Sequence, residues 1–291
     1  MRFIDTSMQY AIKVLTGCVG LIFLVFLGYM GEESWPLFQH SGIVEFMTTA
    51  VWRPLDGVPL LGIRNMVLSS LYVSVLAILI ALPIGLGCAV YSAFCLREAG
   101  RVYWLAATEM IAGIPSVIFG FIGLVVLVKA LENGLQLSSG ECVLAGAIVL
   151  GVMILPFIIS NCTESLLRGQ DLYAEVAANL GVSKWYSIQH IILPQTLRAW
   201  WVSIILAFSR AVGETMAVMM VMGNTKTLPT LLGKGETIPA LIALEMGSAE
   251  YGSLHYHGLY AAGVVLLLIL VGCNLLFYSL RRYTDKGGKI R

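Results

Sequence analysis

Six stretches of this chain each run for about twenty residues or more with scarcely a charge. Nothing else in the sequence constrains its fold as strongly, because about 20 apolar residues in a helix cross the hydrocarbon core of a bilayer. The runs cover about 11–30, 66–95, 104–128, 142–162, 196–222 and 258–280. They are long and lack period-two alternation, so helices are expected rather than barrel strands. Of the 291 residues, 58% are hydrophobic and 12% are charged. A soluble domain carries about 25% charged residues, so this chain cannot cover its apolar interior with its own polar surface, and lipid must. The expected fold class is an all-α integral membrane protein with six transmembrane helices. The first run has Arg2 and Lys13 near its start and no Ala-x-Ala pattern after it, which reads as a retained span rather than a signal peptide.

Charge placement orients the chain. Arg2, Lys13, Arg97, Arg101, Arg168, Lys184, Arg198, Arg281, Arg282, Lys286, Lys289 and Arg291 fall on one side of the spans. Arg53, Arg64, Lys129, Lys226 and Lys234 fall on the other, and Arg210 lies within a span. The positive-inside rule then puts both termini in the cytoplasm. Trp35, Trp52, Trp104, Trp185, Trp200 and Trp201 all flank apolar runs, where the membrane interface favours amphipathic rings. A net charge of +1 argues against nucleic acid as a partner. Pro83, Pro115 and Pro156 mark candidate bends. The six cysteines (Cys18, Cys88, Cys95, Cys142, Cys162 and Cys273) form no CxxC pair and read as small buried hydrophobes without a disulfide framework. His255 and His257, without further ligands, read as loop residues rather than a metal site. Glu109, Asn161, Thr163 and Glu164 read as polar groups at the membrane interface. The two long outer connections are 31–65 and 223–257, and a short helix over the pore mouth or against an external partner is open for the second.

Two segments bear on chemistry. The first is 171–194, where periodicity suggests a short helix over 173–180, a break at Gly181 and a second amphipathic piece ending at Pro194. Such a knob is either a handle for another protein or an interfacial helix against headgroups. The second is Ser209-Arg210-Ala-Val-Gly213-Glu214-Thr215 in the fifth span. A charge in mid-span costs about 2.5–3.5 kcal/mol on insertion scales. Arg210 and Glu214, four apart, share one helix face and can pair, with Gly213 and Ala217 leaving room for a close neighbour. The pair is either a neutralised strut or a cationic station for an anion, whose oxygens match the guanidinium fork.

In the first segment, Glu175, Ala177, Gly181, Ile191, Leu193 and Pro194 resemble the EAA signature of ABC importer permeases, with Val176 departing from the usual Ala. In that family the segment is the coupling helix that docks on a separate ATPase. No G-x-x-x-x-G-K-[ST] occurs in this chain, since Gly233-Lys234 lacks the upstream glycine. The run from Ser209 to Asn224, together with 113–120 and 237–243, resembles the permeases of phosphate-specific ABC importers, the PstC-type subunit in particular. The resemblance implies a type I (MetI-like) permease core over 66–282, after an N-terminal helix and external loop (1–65) and before a cytoplasmic tail (283–291). It also implies a substrate path that includes Arg210, Glu214, Thr215 and Ser209. The implied partners are a PstA-like second permease, a PstB-like ATPase dimer that holds ATP-Mg, a PstS-like phosphate-binding protein outside, and membrane lipid. The resemblance implies no cofactor in this chain and no bond-breaking chemistry, and it places the chain in the bacterial inner membrane. Sulfate, molybdate or tungstate as cargo, a secondary anion transporter, and a membrane-embedded enzyme are the competing readings. The last lacks any His/Asp or Ser/Lys constellation within the spans.

Overall fold

The structure, a computed structural model, describes residues 2–287. Lys289 and Arg291, two of the basic residues used to orient the chain, lie outside the described residues. The chain is almost wholly helical. In order it forms α1 (Arg2–Ser41), α2 (Ile43–Thr48), α3 (Arg64–Phe94), α4 (Glu98–Ala112), α5 (Ser116–Ile122) and α6 (Lys129–Leu135). There follow α7 (Val143–Asn179), α8 (Lys184–Ser187), α9 (Leu193–Val212), α10 (Met216–Val221), α11 (Ile238–Glu245) and α12 (Leu254–Gly287). A two-residue hairpin, β1 (Trp52–Arg53) against β2 (Leu60–Leu61), is antiparallel with Trp52 opposite Leu61.

Among the described residues five helical stretches are long and apolar enough to cross a membrane: Ile12–Ser41, Arg64–Phe94, Ser116–Leu135, Val143–Tyr173 and Leu254–Leu276. A sixth arises if Lys184–Leu197 and Ala199–Val212, bent by 48° to each other, are taken as one span. Two expected boundaries move. The third run breaks at Gly113–Pro115, so that α4 is a separate helix and the span is α5 running through a π-helical stretch (Gly123–Val128) into α6. Pro115 disfavours helical backbone in the residue before it and becomes the N-cap of α5. Pro83 and Pro156, by contrast, lie inside helices that continue through them. The second change is in the fifth run, which ends as α9 at Val212 and resumes as α10 after three residues.

The main core is α3 against α7, joined by α9 and α10. Ser70, Ser74, Ala77, Ala81 and Gly85 are buried at three- and four-residue spacing along α3. Small residues at that period let two membrane helices approach until their backbones nearly touch. A Cβ on Gly85 would sit 2.8 Å from the Ile158 side chain of α7. A second core lies at the N-terminal ends of α3 and α12, where Leu37, Phe46, Trp52, Ile63, Met66, Leu241 and Leu259 are buried together. The most apolar window of α1 buries nothing against the rest of the chain, as expected of a helix facing lipid.

The 223–257 connection is neither loose nor merely surface-lying. Helix α7 begins with amide groups that have no intrahelical partner. Val143 donates to the Gly233 carbonyl at 2.9 Å, Leu144 to Leu231 at 2.9 Å, and Cys142 to Val221 at 3.1 Å. Gly235 donates back to Met222, and Gly223 pairs with Gly235 in an isolated bridge. The segment from Met222 to Ile238 is therefore a strap across the tops of α3 and α7. It leads into α11, whose Ile238, Pro239, Ala240 and Leu241 are buried. The short helix is thus packed within the bundle end.

Candidate functional site

The 171–194 segment is built differently from its periodicity. Helix α7 runs unbroken through the membrane and on to Asn179, so the 173–180 helix is the projecting end of a span. Its termination follows a Schellman pattern: Gly181 takes φ +67°, and the Val182 amide reaches back to the Ala177 carbonyl at 3.0 Å. Ser183 then caps α8, its Oγ accepting from the Tyr186 amide at 3.3 Å. A π-helical stretch (Ile188–Ile192) joins α8 to α9 without a stop. Pro194 does not end the second piece. It sits in the first turn of α9, where a missing N–H costs least.

Of the motif residues, Ala177 is buried, Ile191 and Leu193 are half-buried, and Gly181 and Pro194 are exposed. Glu175 is described by its backbone position in α7 alone. The structure adds residues that the motif did not single out. Leu172, Val176 and Leu180 recur every fourth residue and are all exposed, with Trp185 and Tyr186 exposed across the turn. Their i, i+4, i+8 spacing on a helix that outlasts the bilayer was available as a signal in the sequence. The turn is also tied to α3. Lys184 Nζ donates to the Phe94 carbonyl at 3.2 Å, at the α3 C-terminus where helix carbonyls lack partners and the dipole favours a cation. A cavity of about 220 Å³ opens beneath the turn, lined by residues that include Phe94, Gln170, Ala177 and Ile192.

The fifth-span segment does not form the expected ion pair. Helix α9 ends at Val212, so Arg210 and Glu214 no longer share a helical face. Among the described residues no salt bridge joins them. Instead Glu214 Oε1 accepts from the Ala217 amide at 3.4 Å, at the start of α10, where a carboxylate meets unpaired amides. Ser209 Oγ donates to the Ile205 carbonyl at 3.0 Å, and Thr215 occupies the N-cap position of α10 with its Oγ1 donating to the Gly213 carbonyl at 3.4 Å rather than accepting from an α10 amide. Arg210 is exposed in the last turn of α9, with no described partner. The close approach assigned to Gly213 and Ala217 is made by Ala217 alone: a Cβ on Gly120 of α5 would lie 2.9 Å from the Ala217 Cα, whereas one on Gly213 would meet only its own turn.

The face of α9 that carries Arg210 continues toward the Gly181 turn through Leu206, Ser203, Ala199 and Gln195, at helical spacing. These four line a groove of about 570 Å³ between α9 and α7, opposite Asn161, Glu164 and Arg168. Arg168 and Glu164 pair at 2.5 Å, and Thr163 is fully buried with an unpartnered hydroxyl. Glu109 is exposed on α4 and Arg101 reaches the Ala93 carbonyl rather than Glu109.

The two histidines are not solvated loop residues. His255 is buried and bonds Glu245 Oε2 at 2.8 Å, and His257 bonds the Glu33 carbonyl at 2.6 Å. Among the described residues no cluster of three or more His, Cys, Asp or Glu side chains is placed to hold a metal ion.

A family model described as "Binding-protein-dependent transport system inner membrane component" matches residues 81–287. A probable ABC transporter permease of Bacillus subtilis, YqgH, is 34% identical over 91% of this chain and 85% of its own length. The phosphate transport system permease PstC of Mesorhizobium japonicum is 32% identical over 97% of this chain and 88% of its own. The MetNI methionine ABC transporter, in an inward-facing conformation, shares the fold at a TM-score of 0.55 and 16% identity, over 77% of this chain and 94% of that one. The chain is a multi-pass, non-catalytic permease subunit of an ABC importer and belongs to the binding-protein-dependent inner membrane component family.

Proposed function

We propose that this chain is the PstC-type subunit of a phosphate importer and that Arg210 is the station at which the anion passes. The observation that carries the reading is an exposed guanidinium at a helix break, with its carboxylate neighbour turned away to α10. A buried or lipid-facing cation without a partner is costly, so Arg210 faces a wet path shared with a second, homologous permease of PstA type. Ser209 and Thr215 add hydroxyls at the same break. The names of the PstC relatives agree with phosphate as cargo.

The apolar stripe Leu172, Val176 and Leu180, with Glu175, Ala177 and Gly181 around it and Ile191, Leu193 and Pro194 behind it, forms the surface that a PstB-like ATPase subunit grips. That ATPase dimer holds ATP-Mg, and this chain holds no cofactor. A PstS-like phosphate-binding protein delivers cargo at the opposite end. Both termini lie in the cytoplasm and the complex sits in the bacterial inner membrane.

The test is radiolabelled phosphate uptake by the reconstituted complex with Arg210→Ala. Uptake is expected to fall at least about a hundredfold, with all subunits still co-purifying. Uptake within twofold of the unmodified complex would sink the anion station. Uptake blocked by unlabelled sulfate or molybdate as effectively as by phosphate would instead transfer the reading to another oxyanion.

A further inference from the structure

The strap carries a group that the transport reading does not use. Glu236 is 2% exposed, and its Oε2 has no hydrogen-bond partner. It lies between two residues fixed to α3: a Cβ on Gly235 would sit 3.0 Å from Ser69 Oγ, and the Ile238 amide donates to Ser70 Oγ at 2.9 Å. The same face of α3 presents Asn65, whose Nδ2 binds the carbonyls of Ala50 and Lys226 at 3.1 and 3.0 Å. Asn65 Oδ1 and Ser69 Oγ are themselves buried without partners.

The charges around Glu236 are already committed. Lys226 pairs with Glu245, which also accepts from Trp52 Nε1 at 2.8 Å and bonds His255. Lys234, two residues upstream, pairs with Glu141 at 2.7 Å. The α3 side chains that meet the strap at Lys226, Gly235 and Ile238 are the neutral Asn65, Ser69 and Ser70, and Arg64 is exposed. Among the described residues, then, no cation is dedicated to Glu236, and an ionised carboxylate there is desolvated with an unfilled lone-pair site.

We propose that Glu236 is a proton-binding site: seated against α3 the side chain is a neutral carboxylic acid, and loss of its proton loosens the strap from α3 and α7. The electrostatics agree in direction. Burial pushes the carboxyl up to about 7, with Lys226 opposing and Glu245 adding to the rise. Burial acts on Glu245 as well, but its donors Lys226, Trp52 and His255 outweigh it and hold that carboxyl below its usual range. Glu245 is therefore the charged anchor and Glu236 the titrating one. The seated form binds the proton more tightly than the released form. Seating is therefore strongest at acid pH, weakens as pH rises from the ordinary carboxylate range to about 7, and levels off above it. The proton site is separate from the phosphate path and does not depend on the cargo.

The experiment is amide hydrogen exchange of the assembled complex in lipid discs, with rates divided by their intrinsic pH dependence and followed at Gly235 and Ile238. Between about pH 5 and about pH 8 the opening constant of the strap is expected to rise by roughly a hundredfold in the unmodified protein. In Glu236→Gln it is expected to stay flat at the low, acid-pH value. The carboxylic-acid stretch in pH-difference infrared spectra is expected to lose one component in the same variant. Should Glu236→Gln not assemble, Lys226→Gln serves, since removing the opposing charge shifts the exchange midpoint to higher pH. A flat profile in the unmodified protein, or the same slope in Glu236→Gln, overturns the proposal. So does a midpoint in Lys226→Gln that stays put or moves down. None of these readouts uses phosphate, so a failed anion station leaves the result intact.

Discussion

At the scale of single residues, two positions separate chemistry from packing. Arg210 ends α9 with its guanidinium exposed. The proposed anion station rests on a planar fork of donors, which lysine lacks. Arg210→Lys is therefore expected to lower phosphate uptake about tenfold or more, while thermal unfolding in detergent stays unchanged; equal uptake by the two would show that charge alone suffices. Gly120 acts by absence of a side chain, because the atom that its Cβ would strike at 2.9 Å is backbone on α10 and cannot rotate away. Gly120→Val is expected to cost about 1–3 kcal/mol, seen as a lowered unfolding midpoint. An unchanged midpoint would mean that α5 and α10 are free to separate.

At the scale of elements, the turn at Gly181 joins three devices: a left-handed glycine, a serine cap and a lysine on a helix C-terminus. Gly181 has open space around its Cα, so a substitution there meets only backbone strain. Gly181→Ala is expected to cost about 1 kcal/mol, with ATPase binding weakened but not lost. Leu172→Glu with Leu180→Glu tests the surface instead. Both side chains are more than two-thirds exposed, so the permease is expected to fold with unchanged circular dichroism and to lose ATPase co-purification about tenfold or more. Retained co-purification would place the grip elsewhere. The periodicity of 173–180 reads as a free-standing helix because a window that short cannot report that α7 continues into it. Pro194 reads as a terminator for the same reason: whether a proline stops or starts a helix depends on which turn it occupies.

At the scale of the whole molecule, the bundle divides into a helix that faces lipid and a core that faces itself. Leu21 and Leu24 on α1 are about two-thirds exposed, whereas Leu37, nearer the end of the same helix, is wholly buried among α2, α11 and α12 residues. Leu37→Ala is expected to destabilise by about 2–5 kcal/mol and Leu24→Ala by no more than about 0.5 kcal/mol, measured as unfolding midpoints in the same detergent. Comparable losses would mean that α1 is packed along its whole length. The long strap between α10 and α11 supplies the acceptors that the first turn of α7 needs, so it belongs to the fold as much as any span.

The membrane class, the approximate spans and the permease family were legible without coordinates, because each depends on a property local to a stretch of chain: apolar length, charge spacing or a motif with fixed intervals. The tertiary structure alone decided which local possibility each junction takes. Arg210 and Glu214 sit at a spacing that pairs in a continuous helix, yet α9 breaks between them and Glu214 caps α10 instead. His255 and His257 lie in a stretch that looks solvated, yet both are held by carboxylate or carbonyl oxygens from other elements, Glu33 being more than 200 residues away in sequence. Glu236, one polar residue among many in an outer loop, is buried because the strap that carries it is held to α3, where Ile238 donates to Ser70, 168 residues earlier. Hydropathy is summed along the chain, but solvation is set by whatever folds against a group, and that is written only in three dimensions.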